Sequence, residues 1–369
     1  LHRISGVVPD AQVYTENNSI YLYVKNLSNA QQLEYFARLI LEQTKKPFTI
    51  VGSLKIDIDV NICAAIFPQS GRKYGEFMHN LELAMIASKR MGLNTFKIYD
   101  KQLSNEQTDE YKYYKEIKEA INNKDFTLFY QPIVDINTNA IIGAESLLRW
   151  NHKTMGILPP SKFLDILEQS GDIYWVGLWA FEQLIKQYHQ IKVKFPDIKL
   201  MFTMNLSSKQ LLNPSLANEF KRLLLKHRAD AADFCMEIVE FAMFDKMDIV
   251  QDNIIKLGQM GLKIAIDDYG LDFSTLAALD KLPIDVIKFN KEFFTKSDGF
   301  FTQNLIETLN KYATQKNMTI IAQGVEDEAF VQRIKKLNIK YAQGYYYYKP
   351  RSFEELILSI KSDISANEA

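Results

Sequence analysis

The stretch LKIAIDDYG, residues 262–270, is an apolar run of strand length that stops on two adjacent aspartates, Asp267 and Asp268. Its isoleucines favour a strand, and the closing glycine marks the exit into a loop. The same plan recurs on both sides. IIGAESLLRW (141–150) carries Glu145, LMFTMNLSS (200–208) carries Asn205, and CMEIVE (235–240) carries Glu237 and Glu240. VIKFN (286–290) brings Lys288 and Asn290, IIAQGVED (320–327) brings Gln323 and Glu326, and YAQGYY (341–346) brings Gln343. Helical stretches lie between several of these runs. Strand, polar end and helix, repeated from Phe126 to Tyr348, predict an α/β fold of the (β/α)8 type with its site at the strand C-termini.

Composition bounds the rest. A chain of 369 residues is long enough for two domains with separate cores. With 47% hydrophobic and 24% charged residues it is globular rather than disordered. Lys+Arg 44 against Asp+Glu 45 gives a net charge of -1, so nothing advertises a DNA or RNA polymer or an anionic membrane as partner. Cys63 and Cys235 sit in apolar runs without metal-ligand spacing and read as buried thiols, which points to a reducing, cytoplasmic compartment. No apolar run has membrane-spanning length, so this fragment is expected to make no membrane contact. A start at Leu1 rather than Met leads us to expect a longer protein, in which a membrane anchor or sensor domain could lie upstream.

Three segments are expected: a small domain over 1–101, a linker helix over 102–124 and the barrel over 125–369. In the first, SIYLYVKNL (19–27) has strand character and NAQQLEYFARLILEQTKK (29–46) has amphipathic helical spacing. KPFTIVGSLKIDIDVNICAAIFP (46–68) reads as one hairpin, followed by a helix that stops near Gly92 and a short strand. LEYFARLILEQTKKPFTIVG (33–52), the AAIFP ending and MIASKRMGLNTFKIYD (85–100) resemble the second half of a GGDEF domain, the fold of diguanylate cyclases. The family's signature pentapeptide would fall on Glu16–Ile20, where no residue matches. Its glycines are gone, Asn18 and Ser19 replace its carboxylates, and Val7 replaces the arginine of the Arg-x-x-Asp product site, leaving only Asp10. The resemblance therefore implies a truncated, degenerate GGDEF-like domain that is a scaffold or dimerisation surface, not a cyclase.

In the linker, LSNEQTDEYKYYKEIKEAINNKDF (103–126) lacks Gly and Pro, and Ser104 or Asn105 could cap a helix beginning with Glu106 and Asp109. Tyr111, Tyr114, Ile117 and Ile121 form a stripe, best read as packing on the barrel; a lever between domains is the weaker reading.

From Phe126 onward the motifs resemble an EAL domain, the fold of phosphodiesterases that open cyclic di-GMP. YQPI, ESLLRW, NLSS, EIVE, DDYG, IKFN, AQGVE and QGYY come in the family's order and spacing. The resemblance implies a TIM-like barrel whose first strand runs antiparallel. It also implies Mg²⁺ or Mn²⁺, which suit a strand-end set of oxygen donors without His or Cys. Glu145, Asn205, Glu237 and Asp267 would hold the first ion; Asp267 and Asp268, with the position of Gln323, would hold the second. Lys288 would touch the attacking water or phosphate, Gln343 would organise the site, and Glu240 and Glu326 would support neighbouring loops. Gln131, Leu147 and Arg149 would contact the dinucleotide, and a homodimer through the barrel is expected. Singly, each acidic strand end reads as a helix cap or loop contact and Lys288 as a surface lysine; the barrel rim is what unites them. His152 and His189 read as loop and helix-surface residues, and Trp175 and Trp179 as core packing.

Three departures decide the functional expectation. Gln323 stands for a glutamate, Asn290 for an aspartate, and the loop after Asp268 carries Asp272 for a glycine. Ser146 in place of alanine is milder. The two amides remove anionic charge from the second-metal half, which weakens divalent binding and the field on bound water. The expectation is a cyclic di-GMP receptor with impaired hydrolysis, relaying occupancy to a downstream protein partner. The competing expectation is an active phosphodiesterase yielding pGpG, and a scaffold that binds no nucleotide comes last.

Overall fold

A computed structural model describes the chain except residues 1, 2, 4, 5, 9, 17, 18, 28, 29, 51–53, 57, 102, 104–107, 240–246, 270–280, 296–299, 368 and 369. Two compact units emerge, Leu1–Lys118 and Glu119–Ala369. The first holds an antiparallel ribbon of β1 (Gln12–Glu16) and β2 (Ser19–Tyr23), then helix α1 (Ala30–Thr44). A short hairpin of β3 (Phe48–Ile50) and β4 (Leu54–Ile56) follows. β5 (Ile62–Ala64), helix α2 (Tyr74–Arg90) and β6 (Phe96–Ile98) complete it, with β5 and β6 parallel.

Here the structure corrects the hairpin expected over 46–68. The hairpin ends at Ile56, and Ile62–Ala64 pairs with β6 across the α2 crossover that parallel strands require. Asn61 fixes that pairing, donating from Nδ2 to Gly92 O (2.8 Å) and Thr95 Oγ1 (3.2 Å). Helix α3 (Thr108–Asn123) spans the division between the units. Its expected caps, Ser104 and Asn105, lie outside the described residues, as does the Tyr111 side chain; Ile117 is buried and Tyr114 and Ile121 are half-buried.

The second unit is a closed barrel. Its strands are β7 (Phe126–Asp135), β8 (Ile141–His152), β10 (Met201–Leu206), β11 (Phe234–Val239), β12 (Lys263–Tyr269), β13 (Val286–Phe289), β14 (Thr319–Ala322) and β15 (Tyr341–Ala342). β9 (Gly156–Leu158) only extends β8 as a hairpin. The β8–β10 pairing closes the ring, and every barrel pairing is parallel except those of β7 with β8 and with β15. The expected reversal of the first strand is therefore observed. Helices α4 (Leu164–Ser170), α5 (Ile173–Lys194), α6 (Ser208–Leu211), α7 (Leu216–His227), α8 (Met247–Gln259), α9 (Lys291–Thr295), α10 (Phe300–Gln315), α11 (Glu328–Lys336) and α12 (Phe353–Asn367) follow in chain order. Among the described residues, no helix is long and apolar enough to cross a membrane.

The main core lies between the strands' outer faces and the helices, with Phe181 of α5 stacked on Phe220 of α7. Two expectations fail at its edge. Trp175, on the first turn of α5, is 66% exposed, whereas Trp179 one turn later packs half-buried against the core. The i, i+4 spacing put both on one face, but on the first turn the core is met by Ile173 and Tyr174 and not by Trp175. His152 is a buried strand residue rather than a loop residue: its Nδ1 accepts from the backbone N–H of Thr154 and Met155 (both 3.2 Å) and so shapes the turn into β9. His189 is half-buried, its Nε2 3.0 Å from His227 O.

Glu182 ties α5 to α7, accepting from Lys226 Nζ at 2.7 Å and His227 Nε2 at 2.9 Å. The Lys226 bond leads in lowering its pKa from 4.5 to about 2. A folded-state pKa below the unfolded one contributes stability above pH 4.5, lost as pH falls towards 2. Glu182→Gln is expected to flatten the melting temperature over that window, measured by thermal melts against pH.

Candidate functional site

Strand alternation builds the site in two tiers. Ile133, Cys235, Ala265, Val286 and Ile321 form a small inner cluster apart from the main core. Two residues further along β11, β12, β13 and β14, on the same face, stand Glu237, Asp267, Lys288 and Gln323. On the reversed β7 the matching step runs backwards, from Ile133 to Gln131. Register adds Glu145 opposite Gln131, Asn205 beside Glu237, and Gln343 two residues after Tyr341. An apolar floor thus carries a polar ring at the C-terminal ends of the parallel strands.

Lys288, wholly buried, sits at the centre. Its Nζ donates to Glu237 Oε1 (2.5 Å) and Glu145 Oε2 (2.9 Å), and lies 3.8 Å from Asp267 Oδ1. Burial disfavours its charge, but the three carboxylates outweigh burial and hold the ammonium above the ordinary lysine range. Burial also pushes Glu145 up; Lys288 and the bonds from Lys288, Gln343 and Asn205 reverse this and leave it below the usual range. Burial and then the Glu145 charge drive Glu237 well above that range, against the pull of Lys288.

Amides complete the ring. Asn205 Nδ2 donates to Glu145 Oε1 (2.8 Å), and Gln343 Nε2 donates to Glu145 Oε2 (2.7 Å) and Gln131 Oε1 (3.1 Å). Gln131 Nε2 continues to Tyr348 O (3.1 Å), and Gln323 Nε2 donates to Asp267 Oδ1 (2.8 Å). Gly344 lets the next loop close over this corner, since a Cβ there would lie 2.1 Å from Val325 O. Ser146 points to the other face of β8 and donates to Thr203 O (2.8 Å).

Leu147 and Arg149 continue the Glu145 face of β8 beyond the ring, opposite Phe129 and Thr127 of β7. The Arg149 guanidinium lies 5.5 Å from the Phe129 ring centre and donates to Leu148 O (2.8 Å). Burial leads in lowering its pKa. The β12–β13 register slips between Ile266 and Tyr269, a bulge at the aspartate pair. The Asp268 side chain, Glu240 and Asp272 lie outside what is described.

Two further strand-end residues make contacts with the chain that follows β13. Asn290 Oδ1 accepts from Glu292 N (2.9 Å) at the start of α9, a capping role that aspartate fills equally well. Glu326 is exposed and accepts from Lys291 Nζ, a contact that nothing in the motif pattern revealed. Nor did spacing reveal that Tyr346 OH donates to Glu328 Oε2 (2.5 Å).

The ring's chemistry fits a hard divalent cation: its donors are oxygens, and Glu237 Oε2, Gln323 Oε1 and Gln343 Oε1 are buried without hydrogen-bond partners among the described residues. Glu145, Asn205, Glu237 and Asp267 would hold such an ion, which when bound would stabilise charge on a phosphate and make bound water a better nucleophile. Among the described residues no three acidic, histidine or cysteine groups converge on a shared metal position; the carboxylates gather around Lys288 instead.

A closed barrel with one reversed strand and this polar ring is the architecture of the EAL domain. The EAL domain family model matches residues 114–350, and the chain belongs to that family. It is 30% identical over 289 residues to the probable cyclic di-GMP phosphodiesterase PdeI of Escherichia coli (strain K12), covering 78% of this chain and 37% of PdeI. To the bifunctional diguanylate cyclase/cyclic di-GMP phosphodiesterase MucR of Pseudomonas aeruginosa it is 26% identical over 328 residues, covering 88% of this chain and 47% of MucR. The chain spans about half the length of the first curated relatives it matches. Among solved structures, the EAL enzyme Bd1971 with cAMP and cyclic di-GMP bound gives a TM-score of 0.64 at 28% identity, covering 76% of this chain and 75% of that one. The MucR phosphodiesterase in complex with cyclic di-GMP gives 0.61 at 26%, covering 66% and 99%.

Proposed function

We propose that the barrel binds cyclic di-GMP at its polar ring and acts as a receptor that hydrolyses its ligand slowly. The observation that carries this is Gln323: a neutral amide stands at a strand end where the family has a carboxylate, bonded to Asp267. Glu145, Asn205, Glu237 and Asp267 would hold one Mg²⁺ or Mn²⁺, and Gln131, Leu147 and Arg149 would meet the dinucleotide. With the residue at position 323 neutral, a second ion would be held weakly and would acidify its bound water less.

A second reading has its own support. The first-metal residues and Lys288 are all present: Asn205, Glu145 and Glu237 are joined to one another or to Lys288 by hydrogen bonds, and Asp267 lies 3.8 Å from the ammonium. That favours a phosphodiesterase yielding pGpG, with bound phosphate and water meeting Lys288. We assign the first unit a scaffold or dimerisation role on its GGDEF-like sequence, with residues 102–124 as linker, and a cytoplasmic location to these domains. A homodimer and a downstream protein partner complete the proposal.

One experiment separates the readings. Purified protein is titrated with cyclic di-GMP in EDTA, then incubated with Mg²⁺ or Mn²⁺ while pGpG is followed. Tight binding with slow turnover supports the receptor; rapid turnover sinks it.

A further inference from the structure

Asp267 Oδ1 accepts from the Gln323 amide at 2.8 Å and lies 3.8 Å from the Lys288 ammonium. An ionised carboxylate only accepts, so the amide necessarily turns its N–H towards it. The amide oxygen, the atom through which Gln323 could ligate a cation, is buried and has no hydrogen-bond partner among the described residues. Leaving an acceptor so placed is costly, and the charge-assisted bond to Asp267 offsets the cost.

We propose that Gln323 is a clasp that competes with a divalent cation for Asp267, rather than merely a weak ligand. The inference rests on the reading that this ring takes a cation, and names how that uptake is restrained. A glutamate at 323 would repel Asp267 and require a cation between them, whereas glutamine is satisfied without one. Lys288 does the same for Glu145 and Glu237. The ring therefore holds together unaided. For Asp267 and Gln323 to hold a cation, the hydrogen bond between them would have to break and the amide turn round.

A clasp and a poor ligand differ in sign. Gln323→Met and Gln323→Leu remove the N–H and the oxygen together. If Gln323 is only a poor ligand, Mn²⁺ binds these variants as weakly as wild type or more weakly. As a clasp, its loss tightens Mn²⁺ binding by about fivefold or more, although a donor atom has been removed. The full chain would be titrated with Mn²⁺ alone by calorimetry, and melted in EDTA and in Mn²⁺. The variants should melt earlier than wild type in EDTA and gain more from Mn²⁺. Equal or weaker Mn²⁺ binding in both variants overturns the clasp, as does an absence of Mn²⁺ binding in all three proteins. Cyclic di-GMP titrated into the same samples tests the receptor separately: if wild type fails to bind it, that reading falls while the Mn²⁺ comparison still decides the clasp.

Discussion

Gln323→Glu combined with Asn290→Asp is expected to raise the rate of pGpG formation from cyclic di-GMP by at least about tenfold, equivalent to about 1.4 kcal/mol of the barrier. The gain comes from position 323, where the change returns an anionic oxygen beside Asp267 and removes the N–H that now holds it. Asn290→Asp alone should change little, because that side chain caps α9 and aspartate caps as well. Single and double variants would be compared in Mg²⁺ and in Mn²⁺, with nucleotide binding measured alongside. Unchanged hydrolysis with intact binding would show that the second-metal deficit does not limit this barrel.

Lys288→Met should produce the largest loss of stability of any single change in the ring. The ammonium is the shared counter-charge of Glu145, Glu237 and Asp267, and removing one partner of a buried ion pair costs about 3–5 kcal/mol. For a domain of this size that corresponds to a fall in melting temperature of roughly 10 °C. Adding Glu145→Gln should recover part of the loss in EDTA, since Glu145 is the carboxylate that Lys288 keeps ionised against burial. An unchanged melting temperature in Lys288→Met would mean that the carboxylates shed their charge by taking up protons and do not depend on the lysine.

Much of this architecture can be read from period-two alternation. Val286 to Lys288, Ala265 to Asp267 and Ile321 to Gln323 each step from the inner floor to the ring, and each pair is visible as an apolar residue followed two places later by a polar one. The reversal of β7 is not visible in this way, because a strand alternates identically in either direction; the motif resemblance supplied it. Long-range bonding escapes pattern altogether. The cap made by Asn290 and the backbone bonds to His152 depend on where turns bring main-chain N–H groups. Trp175 and Trp179 share a helical face, and their spacing does not tell that the first turn meets the core through Ile173 and Tyr174 instead.

The reversed strand also fixes where the polypeptide enters the barrel. In a ring of uniformly parallel strands the chain arrives at the end opposite the site. Here Phe126 starts level with Trp150 on the ring side, and the chain passes Gln131, level with Glu145, before it descends. The residues that follow α3 therefore open directly onto the mouth of the site, with no intervening run along the barrel wall. Within its first six residues β7 runs past Arg149 and Leu147 to Gln131, which Gln343 links to Glu145. The doorway of the chain and the mouth of the polar ring are the same.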